Sequence, residues 1–387
     1  MLRDITVSPA PHIGEPLSTR RVMIDVIIAL VPVMIAAGYF FRKYAVILIC
    51  TCVISAVVTE WFCNLIRKRP SSLDDFSAVV TGIILALSLP PALPVWAAVI
   101  GSCFAIGVGK MVFGGLGANI FNPAMVGRAF LTVSFGMLMT SWTVPATIDP
   151  AMPKVAPENI VDARTQATPL AWSKLAIKDK AGAQIYNNRV FFPRIVEGSL
   201  ADRYIGTVEL KLLRSLQSLP LSREQNFRLT QVASKLLRFL WSPRVIGSIP
   251  GSLGETSVIA ALIGGLYLLW RRTSDFHIPV AVLLSSFVFA GIAYLIDSSA
   301  YVQPLCHLTS GALLFGAFFI ATDPVTAPLT AKGRWIFGVG IGTMTMLIRI
   351  AGEYPEGVMY AVLLMNGIRP LIDRFCKQVP AGGKPSA

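Results

Sequence analysis

Charge is what this chain has least of. Only 14% of its 387 residues are Asp, Glu, Lys or Arg, while 54% are hydrophobic. At a mean hydropathy of +0.64, too little polar surface exists to solvate a water-soluble domain, so lipid must cover much of the molecule. Histidine is scarcer still: His12, His277 and His307 share no spacing that suits a metal or haem pair. The cysteines Cys50, Cys52, Cys63, Cys103, Cys306 and Cys376 form no CxxC pair and have no His companions. They read as buried thiols, which excludes an iron–sulfur ligand set. A Gly-x-Gly-x-x-Gly run in a βαβ context is missing too, so nucleotide redox chemistry on this chain is excluded. No catalytic residue and no metal site is expected.

Acidic residues are also few, 21 against 34 Lys and Arg, for a net charge of +13. Such a balance can signal nucleic acid, but here the basic residues cluster in short stretches between apolar runs, where they report membrane topology instead. Apolar stretches long enough to cross about 30 Å of hydrocarbon recur near residues 22–41, 44–66, 76–94, 96–114, 125–143, 256–270, 277–297, 305–322, 335–352 and 357–375. These predict an all-α polytopic membrane protein of about ten transmembrane helices. Several stretches are short or interrupted by Gly and Pro, which membrane helices tolerate where broken backbone faces protein or water. Met1 to Arg21 is polar, and the first apolar run is of full spanning length, so no cleavable signal peptide is expected.

Arg20 and Arg21 precede the first span; Arg67, Lys68 and Arg69 follow the second, Arg271 and Arg272 the sixth, Lys332 and Arg334 the eighth. All fall on one side if the N-terminus is cytoplasmic. Arg42 and Lys43, after the first span, then read as interfacial snorkelling residues. This ordering predicts a cytoplasmic N-terminus over 1–21, a first five-helix membrane repeat over 22–143, an extracytoplasmic loop over 144–255, a second repeat over 256–376 and a cytoplasmic tail over 377–387. Within the loop, Val208 to Leu240 reads as one or two amphipathic helices.

The two membrane blocks look related. Gly114-Gly115 leads to Phe121-Asn122-Pro123-Ala124-Met125 and an apolar run, as Gly352 leads to Tyr354-Pro355-Glu356-Gly357-Val358-Met359. Thr81-Gly82 opens a run ending at Pro90, Pro91 and Pro94; Ser310-Gly311 opens one ending at Asp323, Pro324 and Pro328. Five spans per half, an odd number, puts the halves in opposite orientations, an inverted repeat with broken helices near the midplane.

The stretch Asp162-Ala163-Arg164-Thr165-Gln166-Ala167-Thr168-Pro169 offers two hydroxyls, with Pro169 holding Thr168 extended. By its residues alone it also fits an ordinary polar turn or helix cap. It resembles the Asp-x-x-Ser/Thr-Gly-Ala-Thr acceptor motif of the RnfD and NqrB family of membrane subunits; Gln166 stands where that family usually has Gly. The resemblance extends along the chain. It includes Ser8-Pro9-Ala10-Pro11-His12-Ile13, Gly109-Lys110-Met111-Val112-Phe113-Gly114-Gly115, Phe121-Asn122-Pro123 through Arg128, Gly251 through Ser257, Ala321-Thr322-Asp323-Pro324-Val325-Thr326, and Tyr354-Pro355-Glu356-Gly357 running into Leu363-Leu364-Met365-Asn366. The short stretch before the first span is similar to the RnfD branch; NqrB chains carry a longer extension there.

The resemblance implies FMN joined through its phosphate to Thr168 by a flavin transferase, with Asp162, Thr165 and Ala167 in the recognition sequence. It implies that the region of Asn119 and Asn122 helps hold a second, non-covalent flavin, riboflavin being the candidate. It further implies one membrane segment of an Rnf-type complex in the bacterial inner membrane, passing electrons between ferredoxin and NAD through several subunits and coupling the flow to sodium ions or protons. No nucleic-acid partner is implied.

From the residues themselves, Glu60 and Asp323 are acids placed at membrane depth, each costing roughly 2.5–3.5 kcal/mol at a helix centre, and so are candidates for a cation pathway. Glu60, beside Trp61 and the Arg67 cluster, also fits a solvated interfacial position, and Asp25 fits a solvated cap. Asn119 and Asn122 flank a Gly-rich turn, where their amides suit either local backbone groups or the edge of a heterocycle. Lys110 fits snorkelling to the interface or neutralisation of a phosphate or carboxylate. Two other functions fit the chain: the NqrB member of the quinone-reducing sodium pump, and a solute channel or transporter built on the same broken helices without a redox role.

Overall fold

A computed structural model describes residues 18–70, 72–142, 251–298, 300–352 and 356–377. Among the described residues every regular element is helical. The first half contains α1 (Thr19–Phe41), α2 (Lys43–Ile66), α3 (Ser77–Leu87), α4 (Val95–Ile106, continued by a π turn over Gly107–Met111), α5 (Pro123–Ser134) and a short α6 (Gly136–Met139). The second contains α7 (Val258–Trp270), α8 (His277–Ile296), α9 (Pro304–Thr309), α10 (Leu313–Phe315, continued by a π turn over Gly316–Ile320), α11 (Ala331–Ala351) and α12 (Val358–Phe375).

Local chemistry sets these ends. Ser18 and Ser257 cap α1 and α7, each hydroxyl accepting the backbone N–H three residues on at 3.3 Å. Asn122 caps α5 ahead of Pro123 in the first turn. Four helices, α1, α2, α8 and α11, are long and apolar enough to cross a membrane; α3, α4 with its π turn, and α7 are shorter apolar helices. Three of the expected spans are not continuous, the 125–143 span breaking at Phe135 between α5 and α6. The 76–94 span stops as a helix at Leu87 because Pro90, Pro91 and Pro94 follow, and the 305–322 span breaks at Gly311, whose φ of 72° lies in the left-handed region. At about 1.5 Å per residue, the 11 residues of α3 reach only about halfway through the hydrocarbon.

Ile35, Ile54, Phe62, Leu295 and Ile296 are exposed on the long helices, as required where the surrounding solvent is lipid. The interior instead gathers small residues where helices cross. At Gly264 on α7 the Ala29 carbonyl of α1 occupies the place of a Cβ, and Gly342 on α11 is filled in the same way by α8.

The packing repeats between the halves. α2 lies against α4 and α4 against α5; correspondingly α8 lies against α11 and α11 against α12. Where equivalent helices meet across the halves they run antiparallel. Asp25 near the start of α1 bonds Arg271 just past the end of α7, and Phe121 before α5 touches Gly367 of α12 while Arg128 further along α5 reaches Glu356 before α12. The two halves are therefore inverted with respect to each other, as the span count predicts.

Candidate functional site

One end of the bundle gathers the basic residues: Arg20 lies over the Phe76 ring, Arg271 bonds Asp25, and Arg334 pairs with Asp275. We refer to it as the basic end. The other carries Thr140–Trp142 and Gly251–Glu255, the described residues on either side of the 143–250 segment, and is the loop end.

A cleft opens at the basic end between the broken helices of both halves. Its apolar wall is Val22, Val26, Val80, Ile84, Leu116 and Phe319; its polar wall includes Ser77, Lys110, Asn119, Asn122, Ser274, Thr322 and Asp323. The sequence-predicted residues Asn119, Asn122 and Asp323 thus share one cavity, although Asp323 lies in the opposite half of the chain. Gly114 and Gly115, at φ 127° and 111°, turn the chain after the π turn of α4 so that Asn119 and Asn122 return to the cleft. Asn122 has its Oδ1 on the α5 cap, and its Nδ2 sits 3.5 Å from both the Ile320 carbonyl and Asp323 Oδ2. Asp323 in turn accepts from the Val325 N–H at 3.1 Å and the Thr326 hydroxyl at 3.2 Å, capping the turn after the π segment.

Behind the cleft wall lies a buried ion pair. Lys110, at 1% exposure, donates to Glu60 Oε2 at 2.7 Å and to the Ser77 hydroxyl at 2.6 Å. The second oxygen of Glu60 accepts from the Ser72 hydroxyl at 2.5 Å, and that hydroxyl accepts from Asn64 at 2.9 Å. Glu60 is 0% exposed, so its interfacial, solvated alternative does not hold; Lys110 neutralises a carboxylate and does not snorkel. A buried pair survives where each charge also has hydrogen-bond partners, as both do here. Asp25, 4% exposed, is likewise no solvated cap: Arg271, Tyr267 and Thr273 all donate to it.

Glu60 and Asp323 do not form one site. Lys110 stands between Glu60 and the cleft, whereas Asp323 lines the cleft directly. Thr168, Asp162, Thr165 and Ala167 lie outside the described residues, as do Ser8 to Ile13 and the Val208 to Leu240 stretch.

The cleft sets buried polar atoms opposite an apolar wall. Two side-chain atoms on or beside its wall, Asn119 Oδ1 and the Ser274 hydroxyl oxygen, are buried without a hydrogen-bond partner. A buried polar atom in that state loses on the order of 1–3 kcal/mol until a ligand or water supplies the partner. The apolar side chains opposite provide faces for a ring to lie against.

A second polar cluster, at the loop end, is not among the residues that the sequence singles out. Arg128 of α5, 5% exposed, forms an ion pair with Glu356 and lies 3.8 Å from Glu255; Glu356 also accepts from the Ala312 N–H at 2.9 Å. Nearby, Arg349 of α11 donates to the His307 carbonyl at 2.6 Å and the Ser310 carbonyl at 3.0 Å. The usable signal is an arginine within an apolar stretch, which is as costly at membrane depth as the acids at positions 60 and 323.

Residues 6–382 match the NQR2, RnfD, RnfE family. The chain is 37% identical over 376 residues to the D component of the sodium-translocating ferredoxin:NAD oxidoreductase complex of Acetobacterium woodii, covering 97% of this chain and 94% of that one. It is 36% identical to the D component of the proton-translocating ferredoxin:NAD oxidoreductase complex of Clostridium ljungdahlii, covering 97% and 96%. The D component of the ion-translocating oxidoreductase complex from Stutzerimonas stutzeri is 39% identical, covering 95% and 94%.

Proposed function

This chain belongs to the NQR2, RnfD, RnfE family, and from that premise we propose that it carries two flavins, one esterified to Thr168 and one held without a covalent bond in the cleft at the basic end. It is a multi-pass membrane subunit of an ion-translocating electron-transport complex and works alongside the other subunits of that complex. The electron route runs between ferredoxin and NAD, and the complex sits in the bacterial inner membrane with the 144–255 loop on the extracytoplasmic face, where a flavin transferase acts on Thr168.

The observation that carries the reading is the similarity along nearly the whole chain to subunits of such complexes; the Asp162 to Thr168 sequence supplies the acceptor. A flavin exchanges one or two electrons, which suits a relay between one-electron and two-electron carriers. This chain's residues position it. Asn119 and Ser274 offer polar atoms with no partner among the described residues to a ring edge, and Val22, Ile84 and Phe319 exclude water from the ring faces. Asp323, at the broken end of the α10 segment, is the candidate for contact with a sodium ion or proton. Glu60 carries its countercharge on Lys110, so it would enter the ion route only after Lys110 is displaced.

Peptide mass spectrometry and in-gel flavin fluorescence test the covalent half. Thr168→Ala, expressed with a flavin transferase, is expected to lose all fluorescence while still inserting in the membrane. Fluorescence retained in that variant refutes attachment at Thr168. Flavin released by denaturing the same variant, quantified by chromatography, tests the cleft: an equimolar non-covalent flavin is expected, and it should fall with Asn119→Leu.

A further inference from the structure

We propose that Glu255 and Glu356 form a carboxyl pair that holds one proton at the loop end of the bundle, with Glu255 the protonated member. Both carboxyl groups face the same Arg128 Nη2, Glu356 in direct contact and Glu255 at 3.8 Å, which brings the two acids together. Carboxylates accept and do not donate, so two of them bond only when one carries a proton.

The surroundings decide which. Glu356 accepts from the Arg128 guanidinium and from the Ala312 N–H, and it feels the charge of Arg349 on α11. Glu255 receives far less. The same Nη2 of Arg128 that serves Glu356 stays 3.8 Å away, and among the described residues nothing donates a hydrogen bond to the buried Glu255 Oε1. Its own segment adds only the neutral Ser252, and its side chain is 6% exposed. An ionised carboxylate in that position would be a buried charge whose one nearby cation among the described residues, Arg128, is committed to Glu356, which protonation relieves. Arg128 beside the pair also opposes a metal cation there, so the ligand is the proton.

Position gives this proton a use. Asn122, which reaches Asp323, and Arg128, which reaches the pair, are six residues apart on α5, a rise of about 9 Å. Asp323 and Glu255 therefore lie at two depths beside α5, separated by about that rise. Glu255 also sits two residues before the Ser257 cap of α7, where the chain returns from the 143–250 segment. On the reading of this subunit as part of an ion-translocating machine, Glu255 is the outer protonatable station and Asp323 the inner one.

Infrared difference spectroscopy of the purified complex tests the site itself. Wild type minus Glu255→Gln is expected to show one protonated-carboxyl band that shifts in heavy water, with Glu255→Asp restoring a band at a shifted frequency. Glu356→Gln should also remove the band, because Glu255 then ionises against Arg128. A spectrum unchanged by Glu255→Gln overturns the proposal, and a folded variant is confirmed by its undiminished flavin content. The measurement needs no turnover, so its outcome is separate from that of the electron-transfer reading. In proteoliposomes, Glu255→Gln is expected to keep electron transfer and lose the ion gradient. A full gradient with the band gone would make the proton structural and end its role as a station, leaving the flavin assignment untouched.

Discussion

The two ends of the bundle are built from equivalent parts yet hold opposite contents. In each half the fourth helix, α4 or α11, ends near a buried cation that reaches back to the start of the broken third helix. Lys110 bonds Ser77 at the first residue of α3, and Arg349 bonds the His307 and Ser310 carbonyls around the end of α9. Lys110 precedes Gly114 by four residues and Arg349 precedes Gly352 by three; the π turn over Gly107–Met111 accommodates the extra residue. At the basic end the space beside this cation is a cleft. At the loop end the corresponding region takes the Gly251–Glu255 segment, whose Leu253 and Gly254 N–H groups donate to the Leu89 and Leu87 carbonyls at 3.2 and 2.6 Å. The inverted scaffold thus supplies two similar niches, one left open as a cleft and the other closed with a piece of the chain.

Removing the cation at each end is the strongest way to break this comparison. Lys110→Met strands the carboxylate of Glu60, buried at 0% exposure, and is expected to cost about 3–5 kcal/mol. It should appear as the largest drop in thermal midpoint of the purified complex among these variants, with Glu60→Gln added to Lys110→Met restoring most of it. Arg349→Met leaves the His307 and Ser310 carbonyls without this donor. About 1–3 kcal/mol is expected from the same melt. If Arg349→Met proved the more damaging, the two cations would differ in a way the shared scaffold does not explain.

Gly264→Ala tests the crossing on which the halves turn. Its added methyl meets the Ala29 carbonyl and the Phe319 ring at 2.8 Å, so about 1–3 kcal/mol of overpacking is expected, read as a lower midpoint. The smallest effects sharpen the symmetry. Ser18→Ala and Ser257→Ala remove equivalent caps, each about 1 kcal/mol by the same assay. Unequal losses at the two caps would show that the neighbouring segments stabilise one helix start more than the other.

Much of the architecture is legible in the order of residues. Long apolar runs with basic flanks mark α1, α2, α8 and α11 as spans, and prolines 90, 91 and 94 with Gly311 mark where helices break. Of the candidate site, Asn119, Asn122 and Asp323 stand out by their places beside such breaks, and the fold brings them into one cleft. Lys110 reads first as an interfacial residue and only second as a countercharge, since hydropathy tells how deep a charge lies and not what it faces. Glu255 and Glu356 carry no separate signal, because each sits in or beside a motif dominated by glycines and prolines, and Arg128 shows only as a charge within an apolar stretch.

The sequence alone settles the class of molecule, an all-helical polytopic membrane protein, because burying apolar side chains in lipid is a local and nearly additive property of each stretch. The tertiary structure decides which charge meets which. Lys110 finds Glu60 across 50 positions and Arg128 finds Glu356 across 228. Those pairings depend on where helices cross and in which direction they run, and in an interior without water a buried charge is tolerated only where that geometry delivers its partner.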